Sequence, residues 1–256
     1  MVISMGCLDG DESGAAWGAE VIRGGGCVVW ALPTDATCAA FARARVGATM
    51  RALRMPDVLV RDAATMVSEL ATNTYRHAPG TSAELYAYRT GERARIVVKV
   101  FDGAPWKGAV RPGPPSSPLD EGGRGFELVK ALAWEHGGFW GVHRSRSRLA
   151  FAPVAGKAAY FGLPMPGVAL PVPRKDPAEA ARELEAALGG RGLRPLHRCE
   201  GWGMAVLSVR AEITVWARRH GFVVTMPSVG TVRYPLWEVT EVAEAIVRCG
   251  EDLDAR

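Results

Sequence analysis

Glu69-Leu70-Ala71-Thr72-Asn73-Thr74-Tyr75-Arg76-His77-Ala78 is the stretch on which the reading of this chain turns. Apolar or small residues recur at Val60, Ala63, Val67, Leu70, Ala71, Thr74 and Ala78. Steps of mostly three and four mark an amphipathic helix, and Pro79-Gly80 ends it. Glu69 and Asn73 are four apart and share a helix face. At ~100° per residue that face lies away from the Val60/Val67/Thr74 stripe. The helix therefore buries one side and offers a carboxylate and an amide on the other. Alone, the pair fits an ordinary solvated helix surface at least as well as a site.

Working outward, residues 26–32 (GCVVWAL) read as a first strand, and Pro33-Thr34-Asp35 opens a helical stretch to about Leu53. Residues 82–88 and 95–101 read as β-branched or alternating strands. Residues 138–143 and 149–153 read as a later pair joined by a polar turn, RSRS. The second strand of the earlier pair runs into Val100-Phe101-Asp102-Gly103-Ala104-Pro105. An ionised Asp only accepts hydrogen bonds, so Asp102 is suited to select an exocyclic amine, and Gly103 lets a flat base approach. The same residues also suit a plain β-turn. A Pro-, Gly- and Ser-rich loop follows, long enough to be a lid or a disordered segment. Gly122-Gly123-Arg124-Gly125 closes it and opens another helix. Backbone N–H groups at such an entry favour an anion, although a glycine cluster alone is weak evidence.

The order of these pieces is specific. ELATNTYRHA, then VFDGAP, then the lid, then GGRGFELVKALA resembles the N, G1 and G2 boxes of the GHKL ATPase/kinase superfamily over residues 32–153. Within it the chain is most similar to the bacterial anti-sigma-factor serine/threonine kinases. The resemblance implies a Bergerat-type α/β sandwich: a mixed, mostly antiparallel sheet with helices on one face and a flexible lid. It implies ATP and Mg2+ as cofactors. Glu69 matches the general base, Asn73 the Mg2+ ligand and Asp102 the adenine-reading Asp. Gly103 follows beside the base, and Gly123, Arg124 and Gly125 match the phosphate end. Implied partners are a sigma factor and an anti-sigma-factor antagonist carrying the acceptor Ser or Thr. The alternative is an ATP-dependent binding module without turnover. Ala104 and Trp106 stand where the G1 box has glycines, and Thr74 and Tyr75 replace smaller or aliphatic residues.

The remaining features bound the rest. Hydrophobic residues make up 48% of 256 and the net charge is +4, with no basic run of nucleic-acid type. Five separated cysteines and no CxxC argue against a disulfide framework or zinc site, and favour reduced thiols in the cytoplasm. Neither a signal peptide nor a membrane span is expected. Residues 1–26 read as a mobile leader, 27–160 as the ATP-binding domain, 161–177 as a Pro-rich linker and 178–256 as a small α+β module. Asp176 caps a helix that Pro177 begins. Short strands follow at residues 204–209, 212–217 and 222–226, then a last helix from about Glu238. Trp202, Trp216 and Trp237 read as core or interface, with docking on a partner or on the ATP domain itself. His77, His136, His143 and His197 show no ligand spacing. A homodimer stays open.

Overall fold

The computed structural model describes residues 2–4, 12–91, 94–106, 121–167, 173–195 and 197–256. A first sheet is built from β1 (Val2–Ser4), β2 (Cys27–Ala31), β3 (Ala83–Thr90), β4 (Arg95–Asp102), β5 (Phe139–Arg146) and β6 (Ala155–Pro164). Its order is β1-β2-β3-β4-β6-β5, parallel at β1/β2 and antiparallel elsewhere. Period-two alternation sends Val28, Trp30, Leu85, Ala87, Ile96, Val98 and Val100 to one face. There they meet α1 (Glu12–Arg23), α2 (Cys38–Ala52), α3 (Asp57–His77) and α4 (Glu121–Glu135) in one continuous core.

The fold class read from the sequence holds, with adjustments at its edges. Residues 12–23, assigned to a mobile leader, form α1, and Ala19 and Ile22 are fully buried in the core. The Gly- and Glu-rich composition hid a short apolar stripe. Strand β6 starts later than expected and runs through Pro164, so the first residues assigned to the linker are sheet.

Opposite residues of the same strands point the other way, and they are buried too. Cys27, Val29, Tyr86, Tyr88, Val97 and Phe101 form a second apolar layer. What covers it comes from the far end of the chain. After α5 (Pro177–Gly189), where the Asp176 side chain accepts from Ala178 N at 2.8 Å as a cap, five strands form an antiparallel sheet. They are β7 (His197–Gly201), β8 (Met204–Arg210), β9 (Ile213–Arg218), β10 (Gly221–Met226) and β11 (Gly230–Tyr234), in the order β11-β10-β9-β8-β7. The last helix, α6 (Val239–Asp254), serves both sheets. Val242, Ala243, Ile246 and Val247 join the core of the C-terminal module. Glu241, Glu244 and Glu251, spaced by a helical three or seven, turn to the first sheet.

That contact is a buried ionic cluster. Glu244 accepts from Lys99 Nζ at 3.0 Å, Arg148 Nη2 at 2.9 Å, Arg191 Nη1 at 2.5 Å and the Tyr86 hydroxyl at 2.9 Å. These cations hold its carboxyl well below the usual range against burial. Lys99 also donates to His143 Nε2 at 3.1 Å, and burial with the Lys99 charge lowers that imidazole to about 3, so it stays neutral. Tyr88 donates to Glu241 at 2.7 Å, and Arg146 pairs with Glu251. The C-terminal module docks on the first sheet, as one of the two readings had it, but through charge. Of the tryptophans only Trp237 lies at the junction, under the Arg89 guanidinium. Trp202 is fully exposed.

Candidate functional site

Helix α3 carries two of the sequence-selected residues in its C-terminal half, and it packs against α4 along that face. Glu69 and Asn73 both turn toward Gly125 of α4. A Cβ built on Gly125 would lie 2.8 Å from Glu69 Oε2 and 3.4 Å from Asn73 Nδ2. Any larger residue there would displace the carboxylate, so glycine sets how closely α4 approaches the pair. Helix α4 begins at Glu121, ahead of the glycines rather than after them. Gly125 therefore acts through its missing side chain and not as a loop. Gly123 and Arg124 belong to the first turn, and their side chains lie outside the described residues, as does most of the expected lid.

Asn73 Nδ2 is buried with no hydrogen-bond acceptor among the described residues. Such a donor in a native fold calls for an explanation. An anionic ligand seated between α3 and α4 supplies one, and the neighbouring amide oxygen is a neutral donor to a hard cation.

Asp102 ends β4 and is 4% exposed. Its Oδ1 accepts from Ala104 N at 3.0 Å and Lys157 Nζ at 2.6 Å. Its Oδ2 faces the Thr74 hydroxyl at 3.5 Å. Thr74, next to Asn73, also reaches back to Leu70 O at 3.2 Å. One turn of α3 thus addresses the α4 glycine through Asn73 and the strand-end carboxylate through Thr74. Gly103 N donates to Ser82 O at 3.2 Å, which pins the strand end to the neighbouring β3 entrance.

Three of these residues were not singled out as site groups. Thr74 sat inside the quoted motif but counted as a departure. Lys157 and Gly156 lie on β6, where no spacing announces them. A Cβ on Gly156 would come 2.1 Å from Asp102 O and 2.9 Å from Gly103 Cα, so glycine alone lets β6 run past this corner. Ala104, standing where the resemblance has a glycine, keeps a structural use: its N–H closes a turn onto the Asp102 side chain.

His136 Nε2 sits 2.6 Å from Asp62 Oδ2 and ties α4 to α3. His77 is exposed at the end of α3. Cys27, Cys38 and Cys249 are buried free thiols and Cys199 is an exposed one. Among the described residues no helix is long and apolar enough to cross a membrane.

Against known families, residues 31–144 match the histidine kinase-like ATPase domain. The match runs from the end of β2 into β5 and takes in Glu69, Asn73, Asp102 and Gly125. The chain thus carries an ATP-binding domain of GHKL type over that segment. Strand β6, with Gly156 and Lys157, and the whole C-terminal module lie beyond it. No curated protein matches the chain.

Proposed function

We propose that this protein is a cytoplasmic ATP-dependent regulator of transcription that phosphorylates a Ser or Thr on an anti-sigma-factor antagonist and sequesters a sigma factor. The observation that carries the reading is the meeting of Glu69, Asn73 and Gly125. A carboxylate, and an amide whose buried nitrogen has no partner among the described residues, face a helix whose glycine leaves room beside them.

Bound ATP with Mg2+ would supply the phosphoryl group and neutralise its charge. The chain's own residues divide the remaining work. Asp102 accepts from the adenine amine, with Thr74 and Lys157 fixing the carboxylate. Asn73 would hold Mg2+ through its amide oxygen. Glu69 takes the proton of the incoming hydroxyl as its oxygen bonds to phosphorus and the bond to the leaving diphosphate breaks.

The test is calorimetric titration of ATP with Mg2+, followed by phosphate transfer to candidate antagonists. Asn73→Ala and Asp102→Asn should each weaken ATP by about 10- to 100-fold, the loss of one or two charge-assisted contacts. Glu69→Gln should bind ATP within about twofold of wild type and abolish transfer. Transfer undiminished in Glu69→Gln removes the base assignment.

A second reading is a binding module without turnover, favoured by Ala104 and Trp106 at the two G1 glycine positions. It requires partner affinity to differ between the ATP-bound, ADP-bound and free protein. Equal affinities in all three states would end it.

A further inference from the structure

The junction between the two modules opens on one side into a cleft of about 1180 Å3. One wall is the β3–β4 end of the first sheet, with Arg89, Gly91 and Ala94. The second is the lead-in to α5, with Pro173, Arg174 and Lys175. The third is the C-terminal sheet, with Arg219 and His220 at the β9–β10 turn and Arg233 on β11. Among the described residues, no lining residue is acidic.

Most of this charge is uncommitted. Lys175 pairs with Glu183, and Arg89 stacks on Trp237. Arg174, Arg219 and Arg233 are exposed and form no ion pair among the described residues. Elsewhere on the module Arg182 and Arg198 pair with Glu200 and Arg210 with Asp254, whereas Arg218 lies over the Trp216 ring. The lead-in to α5 and two neighbouring parts of the C-terminal sheet therefore deliver exposed guanidinium groups to one concave space. Pro235, Leu236 and Trp237 form its apolar side.

We propose that this cleft binds a small molecule carrying several phosphates, at a site separate from the nucleotide site. Guanidinium groups recognise phosphate oxygens through paired, charge-assisted hydrogen bonds, and converging ones select ligands with more than one phosphate. The volume exceeds the usual range of about 300–1,000 Å3 for small-molecule pockets, so a phosphate chain or a nucleotide polyphosphate fits. Walls on three sides bound the space, which suits a discrete ligand better than a duplex that needs an open track. The cleft lies at the Ala94 end of β4 and Asp102 at the other end. Eight residues of strand separate them, about 26 Å. One ligand cannot span both sites, so the inference stands or falls apart from the kinase reading.

The experiment is calorimetric titration of inorganic tripolyphosphate into the full chain, its Asn73→Ala variant and an Arg219→Ala/Arg233→Ala variant. Both arginines are exposed, and circular dichroism checks that the double variant keeps its fold. Tripolyphosphate should bind wild type and Asn73→Ala alike and lose about tenfold or more in the double variant. ATP binding with Mg2+ should survive in the double variant. GTP titrated into the Asn73→Ala protein separates the sources. Tighter binding than tripolyphosphate places the ligand among nucleotides, and equal binding places it among inorganic chains. The proposal is overturned if the arginine pair makes no difference, or if Asn73→Ala alone abolishes the binding. It is also overturned if a 20-base-pair duplex binds through the same arginines and tripolyphosphate does not.

Discussion

Gly125 is the residue on which the site geometry depends most directly, and it gives a sharp prediction. A methyl group there would stand 2.8 Å from Glu69 Oε2, against the flexible end of a side chain rather than backbone. Gly125→Ala should therefore fold, since helix interiors favour alanine over glycine by about 1 kcal/mol. The carboxylate should swing away. On the proposed kinase reading, phosphate transfer should fall by about tenfold or more, because small misplacements of a general base are costly. ATP affinity should change much less. Single-turnover transfer beside calorimetry checks this, and a parallel loss of both would mean that Gly125 serves the nucleotide alone. The sequence made this residue visible because the motif order marked it. Glu244 was invisible for the opposite reason. In VTEVAEAIVRCGEDLD its charge fits a solvated helix face, and only the fold shows it 2% exposed among Lys99, Arg148 and Arg191. Glu244→Ala would leave three buried cations without their anion, and such a loss typically costs about 3–5 kcal/mol. Urea unfolding of that variant should show a correspondingly earlier midpoint.

At the scale of elements, α6 is held at its start by a carboxylate that titrates near neutrality. Glu238, the residue before the helix, accepts from Gly91 N at 2.6 Å and reaches Thr90 Oγ1 at 3.4 Å. Burial, and the nearby Glu241 charge, raise its carboxyl to about 7 against those bonds. A raised folded-state value means the native protein holds the proton more tightly than the unfolded chain. The resulting stability is fully present below about pH 4.5 and is lost as pH rises toward 7. His143 and Glu244 act in the other direction. The lowered imidazole contributes above pH 6.5 and loses that contribution as pH falls toward 3, and the lowered Glu244 follows below 4.5. Opposed between pH 4.5 and 6.5, the effects should leave a shallow plateau there and a steep acid limb beneath it. Glu238→Gln keeps an acceptor for Gly91 and mimics the protonated acid. Its unfolding free energy should match wild type near pH 4.5 and exceed it progressively up to pH 7, by on the order of 1–3 kcal/mol at the top. A constant difference across that range would contradict the assignment. Sequence reading found α5 from its Asp176-Pro177 start and placed a last helix from about Glu238. It missed β7 and β11, because fully exposed HRCEG and largely exposed GTVRY have no buried face to betray a strand.

At the scale of the molecule, the first sheet cannot be a finished unit by itself. Six apolar or aromatic residues on its second face, Cys27, Val29, Tyr86, Tyr88, Val97 and Phe101, are buried. A fully buried aliphatic or aromatic side chain contributes about 1.5–3 kcal/mol through its removal from water. Lys99 and Arg148, on the same side, take their carboxylate from α6. The sequence boundary drawn near residue 161 followed a real change of composition, and the proline-rich stretch does separate two sheets. Composition could not show that the second sheet's helix completes the first, since that depends on side chains brought together across some 150 residues of chain. A chain ending at residue 167 should consequently lose more than an accessory domain. It should expose a contiguous apolar face with unpaired cations at its centre, a surface that associates rather than stays monomeric. The expected result is a low soluble yield, with aggregates by size-exclusion chromatography and no cooperative thermal transition. The full chain should unfold in one step, because α6 belongs to both cores. A truncated chain that stays monomeric, melts cooperatively and binds ATP as the full chain does would show the opposite. The ATP-binding half would then be self-sufficient, and the Glu244 cluster only a latch between separable parts.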